Sequence, residues 1–221
     1  MQFSSISASG SMYRFYVDNR LVQTSFYGSV IDIGGRKTNK VGQFIQPEDQ
    51  VSEWKYLNIN PENSPDFLCS ADEIPVKSET FDIVLLSEVL EHLEQPYEVL
   101  NEIYRVLKPG GLFFITVPFM FHEHGSPFDF QRWTKRKIQM ELESRGFQIS
   151  DIEPLGGILS ILYDNTMIYL KQEGGKKNFL IKACYKVFAR ILSSLSKLFY
   201  IIDNKTNKES IVSGYFVKAV K

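Results

Sequence analysis

Short apolar runs alternate with longer stretches of helical period along this chain. Val30-Ile31-Asp32-Ile33 is stopped by Gly34-Gly35, Phe81 to Leu86 holds one charge, and Leu112 to Val117 holds one polar residue. Runs of this length predict buried strands. Trp54 to Ile59, closed by Asn60-Pro61, and Phe147 to Ile152 predict two more. Between them the period changes. Val89, Leu90, Leu93, Val99, Leu100, Ile103, Val106 and Leu107 recur at helical spacing, with Pro96 as a break or a second helix start. Ser9 to Thr24 predicts a modest helix with Met12, Phe15, Tyr16 and Val22 on one face. Thr134 is placed to cap a helix running to Arg145, and Gly146 to end it. Lys108-Pro109-Gly110-Gly111 reads as a turn. No repeat or low-complexity tract interrupts the pattern. Strand and helix in alternation predict an α/β fold, a parallel sheet with helices on both faces. Ligands in such sheets lie beyond the carboxyl ends of the strands, where strand order reverses.

The 221 residues suffice for one large domain with a sizeable core. A hydrophobic share of 43% against 23% charged excludes a disordered or fibrous chain. Two cysteines, Cys69 and Cys184, exclude a disulfide scaffold and a four-cysteine zinc site, and fit a reducing, cytoplasmic setting. Met1 to Tyr16 shows no basic segment followed by an apolar one, so no secretion signal is expected there. Residues 171–221 carry 11 Lys/Arg against 3 Asp/Glu, whereas residues 1–170 carry 14 against 23. An acidic body of this kind argues against nucleic-acid binding, which needs a basic working face.

The strand ends hold the candidate chemistry. Asp32-Ile33-Gly34-Gly35 places a carboxylate at a strand tip and glycines in the turn. Glycine lets a backbone approach a ligand closely, although a plain tight turn reads the same way. A dinucleotide fingerprint is excluded, because Arg36, Lys37, Thr38 and Asn39 stand where its later glycines would fall.

Phe81-Asp82-Ile83-Val84-Leu85-Leu86-Ser87-Glu88-Val89-Leu90-Glu91-His92-Leu93 continues to Arg105-Val106-Leu107-Lys108-Pro109-Gly110-Gly111. These segments resemble the "FDxVxxxEVLEHL" and "RVLKPGG" motifs of class I S-adenosylmethionine-dependent methyltransferases, in particular the type 11 branch. Val30–Gly35 and Ala71-Asp72-Glu73-Ile74-Pro75 resemble two further motifs of that family. The resemblance covers roughly residues 28–155. A second one is narrower. His122-x-His124 followed by Pro127-Phe128-Asp129-Phe130-Gln131-Arg132-Trp133-Thr134 resembles a segment of members found in polysaccharide and O-antigen gene clusters.

The resemblance implies one domain with a Rossmann-like, mostly parallel seven-stranded sheet and an antiparallel last strand. It implies S-adenosylmethionine as cofactor and transfer of its methyl group to an oxygen of a sugar or saccharide intermediate. Asp32, Gly34 and Gly35 would face the methionine part, Asn60 the ribose, Ala71 and Asp72 the adenine, and Ser87 and Glu88 the pocket floor. His122, His124 and Asp129 are the candidates for activating a hydroxyl acceptor. A structural pair with Arg132 explains Asp129 equally well, an Asx turn before Pro61 explains Asn60, and a helix cap explains Asp72. The chain departs from the family at Arg36, Asn60 and Ser70. Each lost charged hydrogen bond would cost the cofactor about 1–3 kcal/mol. A non-catalytic binding protein and an N- or C-methyltransferase remain the alternatives. Glu91-His92 with His122 and His124 could suggest a metal, but no ligand pair has helical spacing with a third partner, so none is expected.

Residues 174–203 read as a basic helical insert. Lys182, Lys186, Arg190, Ser193 and Lys197 form one narrow stripe and leave a wide apolar face. Each charge would cost about 3 kcal/mol at a bilayer centre, so the helix is not expected to span one. Its apolar face at 179–202 would meet the domain, a second copy in a homodimer, or a peripheral membrane surface. Residues 211–220 are expected to return as the last strand, antiparallel and at the sheet edge.

Overall fold

The computed structural model describes residues 10–47, 49–174, 178–206 and 211–221. Seven strands form one sheet: β1 (Gly28–Ile33), β2 (Val51–Asn58), β3 (Phe67–Leu68), β4 (Phe81–Ser87), β5 (Leu107–Pro118), β6 (Gln148–Leu155) and β7 (Gly214–Val220). Their order is β3-β2-β1-β4-β5-β7-β6, parallel as far as β5, with β7 antiparallel to both its neighbours. Strand order reverses between β1 and β4, so the crevice for a ligand opens there.

Among the described residues five α-helices surround the sheet: α1 (Met12–Val22), α2 (Pro96–Val106), α3 (Lys135–Glu143), α4 (Ile158–Gly174) and α5 (Phe179–Lys205). The two-residue side-chain period of the strands divides the core. Ile31, Ile33, Val84, Leu86, Phe113 and Ile115 point to one face, against Leu100 and Ile103 of α2 and Ile138 and Leu142 of α3. Val30, Ile83, Leu85, Phe114 and Phe216 point to the other, against α1 and Tyr163 of α4.

Pro96 does begin α2, where its missing N–H costs nothing. Thr134 caps α3 by accepting the Lys137 amide at 3.2 Å. Thr134→Ala is expected to lower stability by about 1 kcal/mol in a urea melt, with no change in ligand binding. Ser9, the expected start of the first helix, lies outside the described residues; Ser11 is the cap.

Three expectations are corrected. The last strand is not an edge. Tyr215, Phe216, Val217 and Ala219 are all buried, and only a central position covers both faces; β6, half exposed, takes the edge instead. The helical insert is longer than 174–203, because α4 precedes α5. The Lys108–Gly111 segment is not a free turn but the start of β5, where Gly110 donates to the Lys221 carbonyl at 2.9 Å. Strand β3, two residues long, carries no periodic signal. Among the described residues no helix links β1 to β2, which agrees with the unpatterned polar run from Arg36 to Lys40.

Helix α5 packs on the body through Leu192, Phe199 and Tyr200, and Tyr200 lies 5.3 Å from the ring of Phe15 and 5.0 Å from that of Tyr16. Phe188, Ile191, Leu195 and Leu198 stay exposed. Among the described residues no helix is long and apolar enough to cross a membrane.

Candidate active site

A pocket of about 360 Å³ opens at the carboxyl ends of β1 and β4, the place the strand order indicates. Asp32, Gly34, Gly35, Ser87, Glu88 and His124 line it, six of the eleven residues marked in the sequence.

The turn after β1 depends on its glycines. Gly34 has φ +80° and donates to the Leu57 carbonyl at 2.8 Å; a Cβ there would collide with Val89. A Cβ on Gly35 would run into the carboxylate of Asp32. Burial pushes the Asp32 carboxyl up to about 7, with Arg14 and Lys40 opposing the shift.

Glu88 follows β4 with φ +56°, a conformation that costs a residue with a side chain about 1 kcal/mol or more and marks functional turns. Its Oε1 accepts the Tyr13 hydroxyl at 2.7 Å and the Thr116 hydroxyl at 2.9 Å. Burial, and then the charge of Glu91, push its carboxyl up to about 7. The same burial pushes the Tyr13 phenol up, so Tyr13 remains a donor. Two carboxyls that titrate near pH 7 thus stand in one pocket.

The remaining marked residues lie elsewhere. Asn60 does not face the pocket. Its Oδ1 accepts the Glu62 amide at 2.9 Å and caps the short turn Pro61–Asn63, the Asx geometry that the following proline favours. Asn58 takes the inward position, donating from Nδ2 to the carbonyls of Gly34 (2.9 Å) and Gly35 (3.0 Å). Ala71 is buried in the core, and Asp72 sits on a separate surface depression beside Glu102 and Arg105. Asp129 is held by Arg132 (Nη1–Oδ1 2.5 Å, Nη2–Oδ2 2.7 Å) and accepts the His124 amide at 2.8 Å. The guanidinium lowers it to about 2, so it is a structural anchor of the loop rather than a base. His122 is outside the pocket lining, and burial lowers its imidazole. Sequence reasoning missed Tyr13, Trp54, Tyr56 and Phe121 in the pocket wall. Trp54 and Tyr56 alternate along β2, which is the one signal that could have found them.

Residues 47–115 match the family described as "Methyltransferase domain". A ubiquinone biosynthesis O-methyltransferase of Pseudomonas putida is 44% identical over 78 residues, covering 35% of this chain and 29% of that protein. One from Parvibaculum lavamentivorans is 41% identical over 51 residues, 23% of this chain and 20% of that protein. The chain therefore spans less than a third of the length of these two relatives. The crystal structure of an S-adenosylmethionine-dependent methyltransferase from Archaeoglobus fulgidus superposes with a TM-score of 0.55 at 18% identity, over 93% of either chain. Residues 47–115 are thus similar to a methyltransferase domain, and the chain shares its fold with S-adenosylmethionine-dependent methyltransferases. The fold alone does not settle the reaction, since the [4+2]-cyclase SpnF superposes equally well (TM-score 0.57, 17% identity, 93% of this chain and 80% of that one).

The residues of this pocket fit the methionine end of S-adenosylmethionine. Two pocket carboxylates, Asp32 and Glu88, suit its ammonium and sulfonium charges, and the Gly34-Gly35 backbone leaves room that any Cβ would fill. Arg14, Arg36 and Lys40 line the same pocket and offer cations to its carboxylate. The amide of Asn58, at the end of β2, is spent on the Gly34 and Gly35 carbonyls. Asp32→Asn is expected to weaken S-adenosylmethionine about tenfold by calorimetry, the worth of one charge-assisted hydrogen bond.

Proposed function

We propose that the chain transfers the methyl group of S-adenosylmethionine to an oxygen of a hydroxylated acceptor at the rim of this pocket. The observation that carries the reading is the single pocket shared by the Asp32-Gly34-Gly35 turn and Glu88. When bound, the cofactor supplies an electrophilic methyl group. The chain's own groups must hold the acceptor in line and take its proton. Glu88 is placed for the second task, fixed through Oε1 by Tyr13 and Thr116. Phe121, against Tyr13 at 5.2 Å between ring centroids, closes the wall and keeps water from the reacting atoms.

The His122–Thr134 segment supports a saccharide hydroxyl as acceptor. The O-methyltransferase relatives support an intermediate of ubiquinone biosynthesis as its competitor. Calorimetry with S-adenosylmethionine and S-adenosylhomocysteine comes first, and then methyl transfer from labelled cofactor to sugar nucleotides, lipid-linked saccharides and phenolic quinone precursors. Binding in the micromolar range, followed by label in one acceptor class, is the expected result. Absence of binding at millimolar cofactor would sink the enzyme reading in favour of a binding protein on a methyltransferase fold.

A further inference from the structure

Glu91 is 2% exposed, and neither of its carboxylate oxygens has a hydrogen-bond partner among the described residues. A buried carboxylate without such partners is costly, and native structures resolve the cost with a bound group. Two imidazoles face it. His92 Nε2 stands 3.6 Å and His124 Nε2 3.5 Å from Glu91 Oε1, both too far for a good hydrogen bond. Ligand atoms of the three residues all lie within 4.8 Å of one another. Zinc bound at about 2.0–2.1 Å from each of its ligands holds adjacent ones about 3.4 Å apart.

The second nitrogens are already occupied. His92 Nδ1 meets the Phe128 carbonyl at 2.5 Å, and His124 Nδ1 meets the His122 carbonyl at 3.2 Å. A carbonyl only accepts, so each Nδ1 carries the proton, and in the neutral imidazole each Nε2 presents a lone pair. Backbone partners fix metal-binding histidines in this way. Asp129, tied to Arg132, holds the His124 amide and so fixes the loop that brings the second histidine in.

We propose that Glu91, His92 and His124 form a binding site for a divalent cation of the zinc class. Two nitrogens and one carboxylate oxygen are a borderline-soft donor set that suits zinc better than magnesium or calcium. His92 and His124 also line the pocket, so the coordination position left open faces it. A water or an acceptor oxygen would occupy that position; this last role rests on the methyl-transfer reading, the metal site does not. The proposal departs from the expectation of no metal, which rested on spacing along the chain. Glu91 and His92 are adjacent on a short turn, Leu90–His92, and the third ligand arrives from the loop after β5.

Zinc chloride titrated into the chelator-stripped full chain is expected to bind one ion per chain with micromolar or tighter affinity. His124→Ala should weaken it more than about a hundredfold, beyond what the loss of an outer partner alone costs. His122→Ala should leave it unchanged. Circular dichroism checks that each variant folds; if Glu91→Gln does not, the part-exposed His124 carries the test. Zinc binding weaker than millimolar, or equal in the native chain and His124→Ala, would overturn the proposal and leave an ion pair between Glu91 and protonated histidine. Neither cofactor nor acceptor enters this titration, so an inactive chain that binds zinc refutes the methyl-transfer reading alone.

Discussion

Glu88→Gln is expected to cut turnover about a hundredfold or more while raising the stability of the protein. The two effects have one cause. Burial and the charge of Glu91 lift the Glu88 carboxyl to about 7 in the folded chain, from a value near 4.5 when exposed. The folded state therefore holds the proton more tightly than the unfolded state. Its stabilising effect is full below about pH 4.5 and is lost as pH rises through 7. Glutamine keeps the shape and never acquires the charge, so the variant gains on the native chain above pH 7 and matches it in acid. Turnover runs the other way. A base must be ionised, so activity of the native chain should climb through pH 7, and glutamine removes both the climb and the proton acceptor. Thermal melts at pH 5 and 8, with chelator present, and a pH–rate profile test both halves. A loss of activity with an unchanged pH profile would remove Glu88 from proton transfer and leave it a binding group.

Asp203→Ala is expected to destabilise the chain by about 3–5 kcal/mol, the largest loss foreseen for one polar residue. Asp203 is fully buried near the end of α5, yet its partners belong to the start of α4. Its Oδ1 accepts the Leu159 amide at 3.1 Å, and its Oδ2 accepts the Ser160 amide at 2.8 Å and the Ser160 hydroxyl. It thus caps one helix from another. Alanine would strand two buried donors of Ser160, each costing about 1–3 kcal/mol, and the part-buried Leu159 amide as well. The same change frees the end of α5, whose Tyr200 packs on Phe15 and Tyr16 of α1. Because α1 supplies Tyr13 to Glu88, loosening should reach the pocket. A drop of several degrees in melting temperature, with weaker S-adenosylmethionine binding, is the expected pair of results. Lower stability with binding unchanged would show that the insert and the pocket are uncoupled.

The sequence by itself determined every strand but β3, because a run such as Phe81–Leu86 is apolar on both faces and has no stable place outside a covered sheet. It also determined where α2 and α3 begin, since Pro96 and Thr134 act within their own turn. The β1 turn was legible for the same local reason. What it did not carry was the place of β7, which depends on β6 leaving a slot beside β5, or the length of an insert whose helices hide each other's apolar faces. The site divides along the same line. Asp32, Gly34 and Ser87 follow from strand ends alone. The contact of Tyr13 with Glu88 spans 75 residues, and that of His124 with Glu91 joins two loops. Such meetings are set by how helices and strands stack, and a pattern along one chain holds no record of distances across it. Tertiary structure therefore decided which acids are buried, which histidines face them, and that Asn60 and Asp129 serve the backbone instead of the pocket.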